Sequence, residues 1–164
     1  MQFVVTAALA ASNNATPKAT ANVSYLEPEN FTDFKLSQIG GDSEQQSLES
    51  ELTKHVERLT ATYLPAGTHL NLRFRDIDMA GDFEPFRSGP WNDVRILRSI
   101  YPPRMSIEYS VTKDDGTVVA SGERKLSDLT YQWNIRATPL SLSNTEIEAD
   151  LLGNFIRDLS RSVS

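Results

Sequence analysis

At 164 residues with 39% hydrophobic side chains, the chain has the size of one domain and can bury a core without staples. Asp and Glu number 22 against 16 Lys and Arg, giving a net charge of −6 that repels nucleic-acid phosphates and anionic lipid surfaces. There is no cysteine, which excludes disulfides, thiol nucleophiles, cysteine-based zinc sites and lipid-modified cysteine.

Residues 1–10 form a short apolar run ending in the small-x-small pattern Ala8-Leu9-Ala10, the form that signal peptidases accept, so cleavage after Ala10 and export to the periplasm are expected. No lysine or arginine precedes the run, which leaves open a start upstream of Met1. No stretch approaches the roughly 18 consecutive apolar residues that a membrane span requires. Residues 11–22 are mostly Ala, Ser, Thr and Asn and read as a disordered leader, which places a single α+β domain at 23–164. The triplets at Asn14, Asn22 and Asn30 match a glycan acceptor pattern that polar segments also produce by chance.

Val23–Leu26 alternates like a first strand and stops at Glu27-Pro28, where proline lacks a ladder donor. After the Gly40-Gly41 break, Ser43 and Gln46 fit a capping box, and Leu48, Leu52, Val56, Leu59 and Tyr63 recur on one helical face. Leu64-Pro65-Ala66-Gly67 ends that helix. Leu70, Leu72 and Phe74 then alternate with Asn71, Arg73 and Arg75, the signature of a half-buried strand, and strict alternation puts Asp76 on the leucine face. Ile77 and Met79 also need burial, so a bulge near Arg75 is expected.

Val94–Leu97 and Met105–Thr112 read as further strands, the second with Met105, Ile107, Tyr109 and Val111 on one side. Asp115-Gly116 between Thr112 and Thr117 signals a hairpin with a type I′ turn. Ser143–Glu146 is a second capping box, with Leu142 and Ile147 as its staple, followed by the stripe Ile147, Leu151, Phe155, Leu159 and Val163. Hairpin-linked strands and two separate helices predict an α+β fold: an antiparallel sheet of four to five strands with both amphipathic helices on one face.

Six segments together carry a family resemblance: Pro28–Asp33, Leu64–Gly67, Asp76–Gly81, Asp93–Ile96, Pro103–Met105, and Gly122-Glu123 with Leu126–Asp128. On these the chain resembles a bacterial envelope family catalogued as domain of unknown function 3016. The resemblance spans nearly all of the expected mature chain and implies a periplasmic protein with no assigned activity or catalytic residues. The chain departs from the family pattern at Gly153-Asn154-Phe155, where members carry an acidic pair followed by Trp.

Two groups of residues could carry chemistry. Asp76, Asp78, Asp82 and Glu84, with Gly81, fall at positions one, three, seven, nine and six of an EF-hand-like numbering, which suggests a divalent cation, calcium first. Position five is Ala80 and position twelve is Arg87, so the competing reading makes Asp76 a core-facing carboxylate held by an arginine such as Arg95 or Arg104. Phe83, Phe86, Arg87, Trp91, Tyr101 and Arg104 combine the aromatic and arginine side chains of which contact surfaces are made, in a long loop spanning 80–104. Such a loop also packs its aromatics over its own core.

His55 and His69 have no nucleophile paired with them by motif, and Ser88-Gly89 and Ser121-Gly122 lack the Gly-x-Ser-x-Gly context. The sequence thus favours a non-catalytic binding or protein-interaction module acting through 80–104 on an envelope protein or small ligand. A metal-dependent protein using the acidic cluster, with a hydrolase among the options, is the alternative.

Overall fold

The computed structural model describes residues 18–84, 93–133 and 144–163. Its elements, in chain order, are β1 (Thr20–Tyr25), a 3-10 turn (Pro28–Asn30), α1 (Asp42–Tyr63), β2 (Thr68–Asp78), β3 (Arg104–Lys113), β4 (Val118–Ser127) and α2 (Glu146–Val163). The expected α+β fold is present, with four strands ordered β1-β2-β3-β4. The sheet is mixed: β2, β3 and β4 are antiparallel neighbours, while β1 joins β2 in parallel, Thr20 opposite His69 and Tyr25 opposite Phe74. A parallel neighbour requires a long crossover, and α1 supplies it.

Strand β1 begins three residues before the expected Val23, so the leader reading fails for residues 18–22. Ala19 is buried, and Ala21, Val23 and Tyr25 pack against the core while Thr20, Asn22 and Ser24 face outward. Small and polar residues are held here by the ladder to β2, a tertiary contact that composition does not register.

One hydrophobic layer lies between the sheet and the two helices. Leu48, Leu52, Val56 and Leu59 of α1 meet Leu70, Leu72 and Phe74 of β2, Ile107 and Val111 of β3, and Leu152 and Ile156 of α2. Each fully buried side chain of this kind contributes about 1.5–3 kcal/mol relative to exposure. Helix α1 is fastened over β1 by Tyr25 Oη, which donates to the Glu49 carbonyl at 2.9 Å. The helices approach closely at Gly153, where an added Cβ would stand 3.5 Å from Leu59.

The apolar face of α2 is rotated from the expected stripe. Leu151 and Leu159 are buried as predicted, but the centre of the face is Glu148, Leu152 and Ile156, with Phe155 and Val163 on its flank. Helix α1 starts from Gly41 with no side-chain cap, so the Ser43–Gln46 box is not formed. Glu44 instead turns back to accept the Leu36 N–H at 2.7 Å and the Ser37 hydroxyl at 3.0 Å, tying the helix start to the preceding loop.

The β3–β4 hairpin closes with Gly116 N–H on the Lys113 carbonyl at 2.8 Å and Lys113 N–H on the Thr117 carbonyl at 2.9 Å. Of the turn residues only Gly116 has positive φ, so this is a three-residue loop with a glycine bulge, in place of the expected type I′ turn. The Val94–Leu97 strand reduces to a single antiparallel bridge between Ile96 and Asp82.

The bulge near Arg75 is present: pairing to β3 shifts between Phe74 and Asp76. It restores Ile77 to the core face and moves Asp76 off it, correcting the expectation from strict alternation.

Candidate functional site

Beyond the bulge, β2 ends among three loops. The chain after the 3-10 turn runs beside it, Asp33 N–H donating to the Ile77 carbonyl at 3.0 Å and Met79 N–H to the Asp33 carbonyl at 2.9 Å. On the other side Asp82 and Ile96 exchange bonds of 3.1 and 2.9 Å, and Gly81 N–H reaches the Tyr101 carbonyl at 3.0 Å. Gly81 has φ +82, and a Cβ there would stand 2.8 Å from the Ile96 carbonyl oxygen, so only glycine fits this crossing.

Arg95 is the centre of this junction. Its Nη1 donates to Asp33 Oδ2 at 2.8 Å and its Nη2 to Asp33 Oδ1 at 3.0 Å, with side chains only 12% and 14% exposed. The same guanidinium donates to the carbonyls of Gly81 at 2.9 Å and Lys35 at 2.6 Å. Phe83 lies 4.7 Å from it in a cation–π contact, and Nε is buried without a hydrogen-bond partner. A bidentate pair so shielded is rigid, because separating it would strand a charge in low dielectric.

Beneath the pair lies Glu148, reaching from α2 through the core with 1% exposure. Its Oε1 accepts the Ala80 N–H at 2.9 Å. Burial pushes its carboxyl above the usual range; the Ala80 N–H, its own N–H and the Arg95 charge oppose this, and Asp33 adds to it.

Over this foundation opens a cleft of about 520 Å³. Its walls include Lys35 and Gln38 from the first loop, Asp78, Asp82 and Phe83 from the end of β2, and Tyr101 and Arg104 from the third segment. Arg104 Nη1 donates to Asp78 Oδ2 at 3.3 Å. Burial raises the Asp78 carboxyl, Arg104 pulls it back, and Asp33 and Asp76 push it further up.

The cleft brings together Phe83, Tyr101 and Arg104 of the expected contact surface, with Asp78 and Asp82 of the expected cation site. Phe83 is itself buried and serves as packing for Arg95, while Arg104 is exposed. Phe86, Arg87 and Trp91 lie outside the described residues.

The four carboxylates of the expected cation site point to separate partners. Asp76 accepts the Thr32 N–H at 2.7 Å and the Thr32 hydroxyl at 2.8 Å, so neither Arg95 nor Arg104 holds it. Asp78 holds Arg104, Asp82 accepts the Phe83 N–H at 2.7 Å, and Glu84 lies 2.9 Å from Arg98 Nε. Among the described residues no group of three or more His, Asp or Glu side chains is gathered as metal ligands.

Both histidines are elsewhere. His55 is on α1, with Arg58 Nη2 3.0 Å from its Nδ1. His69 bridges Thr20 Oγ1 at 2.7 Å and Asp114 Oδ1 at 2.8 Å at the start of β2, about 30 Å along the strand from the cleft.

Sequence reasoning missed Asp33, Lys35, Gln38 and Glu148. Asp33 closes one of the segments on which the family resemblance rests. For Glu148 a signal was available: it stands in the four-residue register of Leu152 and Ile156, a carboxylate written into an apolar stripe.

The family model described as "Protein of unknown function (DUF3016)" matches residues 19–158. The chain belongs to this family. Every residue of the DUF3016 cleft lies within the matched region. A search of curated proteins finds no relative. Among solved structures, the DUF3016 chain is similar to a PelC variant from Paraburkholderia phytofirmans, solved as a dodecamer, at 13% identity, with 88% of this chain and 92% of that chain covered and a TM-score of 0.31. It is also similar to a minor lipoprotein from Acinetobacter baumannii at 10% identity, with 90% and 89% covered and a TM-score of 0.21. Among the described residues no helix is long and apolar enough to cross a membrane.

Proposed function

We propose that this DUF3016 protein is an exported envelope protein that acts as a non-catalytic binding module, with the cleft at the end of β2 as its contact site. The export reading rests on the apolar run ending in Ala8-Leu9-Ala10. The binding reading rests chiefly on one observation: Arg95 locks Asp33, Lys35 and Gly81, from two walls of the cleft, into a fixed cradle. A site held rigid before a partner arrives loses little entropy on binding. Its rim presents Tyr101 and the exposed Arg104, with Ile100 67% exposed beside them, an aromatic, a cation and an aliphatic side chain of the kind that anchors protein contacts.

Site-specific photocrosslinking in the native envelope tests both parts. A probe at Ile100 is expected to give one discrete adduct, lost in Arg104→Gln with the native fold retained by circular dichroism, while a probe at the exposed Val118 of β4 gives none. Identical adducts from both positions, or an Ile100 adduct indifferent to Arg104→Gln, would overturn the binding reading. Retention of residues 1–10 in the protein recovered from the envelope would overturn cleavage after Ala10.

A further inference from the structure

Strand β4 is the last strand of the sheet, and among the described residues nothing pairs with its outer side. It is ten residues long, and its middle reads Gly122-Glu123-Arg124-Lys125-Leu126. Glu123, Lys125 and Ser121 share the open face of the sheet, opposite Glu108, Ser106 and Ser110 of β3. Gly122, Arg124 and Leu126 share the face toward α2. The Glu123 carbonyl accepts Arg124 Nη1 at 3.1 Å, which places that carbonyl on the outer edge and so gives the outward ladder positions to the odd-numbered residues.

Such an edge invites pairing, and charges along it ordinarily suppress that. Among registers centred on the charged stretch Glu123–Lys125, the charges on the outward residues single out one. Two copies pairing antiparallel about a two-fold axis must match odd with odd residues, because only these turn their N–H and C=O groups outward. Centring the axis on Glu123 opposes two glutamates, and centring it on Lys125 opposes two lysines. Centring it on Arg124 sets Glu123 opposite the other copy's Lys125, twice, with Ser121 opposite Ser127. We infer that β4 pairs with β4 of a second copy in this register, making one continuous eight-stranded sheet.

The inner face supports the same register. It sets Leu126 of one copy opposite Gly122 of the other, and Gly122 leaves the Tyr109 ring uncovered, its Oη 3.5 Å from where a Cβ would be. Tyr109 packs edge-on against Phe155 at 5.1 Å, and with Leu126 and Leu159 these rings line a groove of about 470 Å³ between β4 and α2. The incoming leucine extends that apolar surface. Arg124 is the one residue that meets itself; its guanidinium lies 5.8 Å from the Tyr109 ring and on the Glu123 carbonyl, and it swings off that outer edge as the second copy docks. The Glu123 carbonyl keeps a second lone pair for the incoming N–H. Seven residue pairs and about eight inter-strand hydrogen bonds result.

Sedimentation equilibrium of the full chain over a concentration series is the test. The mass is expected to rise toward that of a dimer, Glu123→Lys to raise the dissociation constant about tenfold or more, and Glu123→Lys with Lys125→Glu to restore it. Glu123 is 74% exposed and its Arg75 contact is a loose 3.5 Å, so the single variant folds normally. The absence of native cysteine gives a second reading: Arg124→Cys is expected to form an intermolecular disulfide on mild oxidation, and Glu123→Cys far less of one. A chain monomeric at every concentration, a dimer indifferent to Glu123→Lys, or equal crosslinking at the two positions would overturn the proposal.

Discussion

Arg95 grips Asp33 through both ends of its guanidinium, at 2.8 and 3.0 Å, across 62 residues of sequence. Asp33 is held to the end of β2 by one bridge and Arg95 adjoins the Ile96–Asp82 bridge, and the ion pair ties these two isolated bridges together across the cleft. Removing one partner leaves the other charged and buried. Arg95→Met is therefore expected to cost about 3–5 kcal/mol, and Asp33→Asn with Arg95→Met to recover part of it. Urea unfolding of both singles and the double measures the coupling directly; additive losses would show the pair to be incidental.

Glu148 makes stability depend on pH in a definite direction. Its carboxyl is raised in the folded protein above the ordinary 4.5, so the fold binds its proton more tightly than the unfolded chain does. Its contribution is fully present below the unfolded value and is lost as pH rises through the folded one. Glu148→Gln keeps an acceptor for the Ala80 N–H and removes the titration. The variant is expected to gain on the wild type as pH rises from 4.5 toward neutrality, read as melting temperature against pH. Glu148→Leu leaves the Ala80 N–H unpaired and is expected to lose about 1–3 kcal/mol at any pH.

Gly81→Ala is expected to destabilise by more than the roughly 1 kcal/mol of an unfavourable positive φ. The added carbon meets both the Ile96 carbonyl and the Leu97 side chain at 2.8 Å. Chemical denaturation supplies the figure, and a neutral result would mean that the loop crossing yields easily.

Divalent cations are expected to leave the melting curve unchanged. Asp76, Asp78, Asp82 and Glu84 are each engaged with a different partner, and a bound ion would have to draw them away from Thr32, Arg104, the Phe83 N–H and Arg98. Melting in chelator and then in calcium, magnesium, manganese or zinc checks this. A selective rise of several degrees, abolished by Asp78→Asn, would establish a metal site instead.

The elements with strong internal periodicity were legible in the sequence: the α1 stripe, the alternation of β2 and β3, and the hairpin at Gly116. The bulge could be inferred as well, because Ile77 and Met79 demanded burial that alternation denied them. What escaped depends on distant partners. Thr20–Asn22 carries no strand signal of its own and is ordered by β2. Ser43 lost its capping role to Gly41, and Ile96 makes only one bridge where four apolar-rich residues suggested a strand. In the cleft, Phe83, Tyr101 and Arg104 could be singled out from the sequence, but the grip of Arg95 on Asp33 joins residues that no local pattern connects.

The parallel placement of β1 has a consequence for the order of assembly. Its ladder partner lies 49 residues downstream, and closing that loop costs about 2 kcal/mol more entropy than closing a five-residue hairpin. The β3–β4 hairpin can therefore form first from its local turn, with β2 joining across the long loop between Asp78 and Arg104 and β1 zipping on only after α1 has docked. A chain delivered N-terminus first holds β1 in waiting until β2 has emerged, and pulse-labelled hydrogen exchange should find the amides of Thr20–Tyr25 protected last.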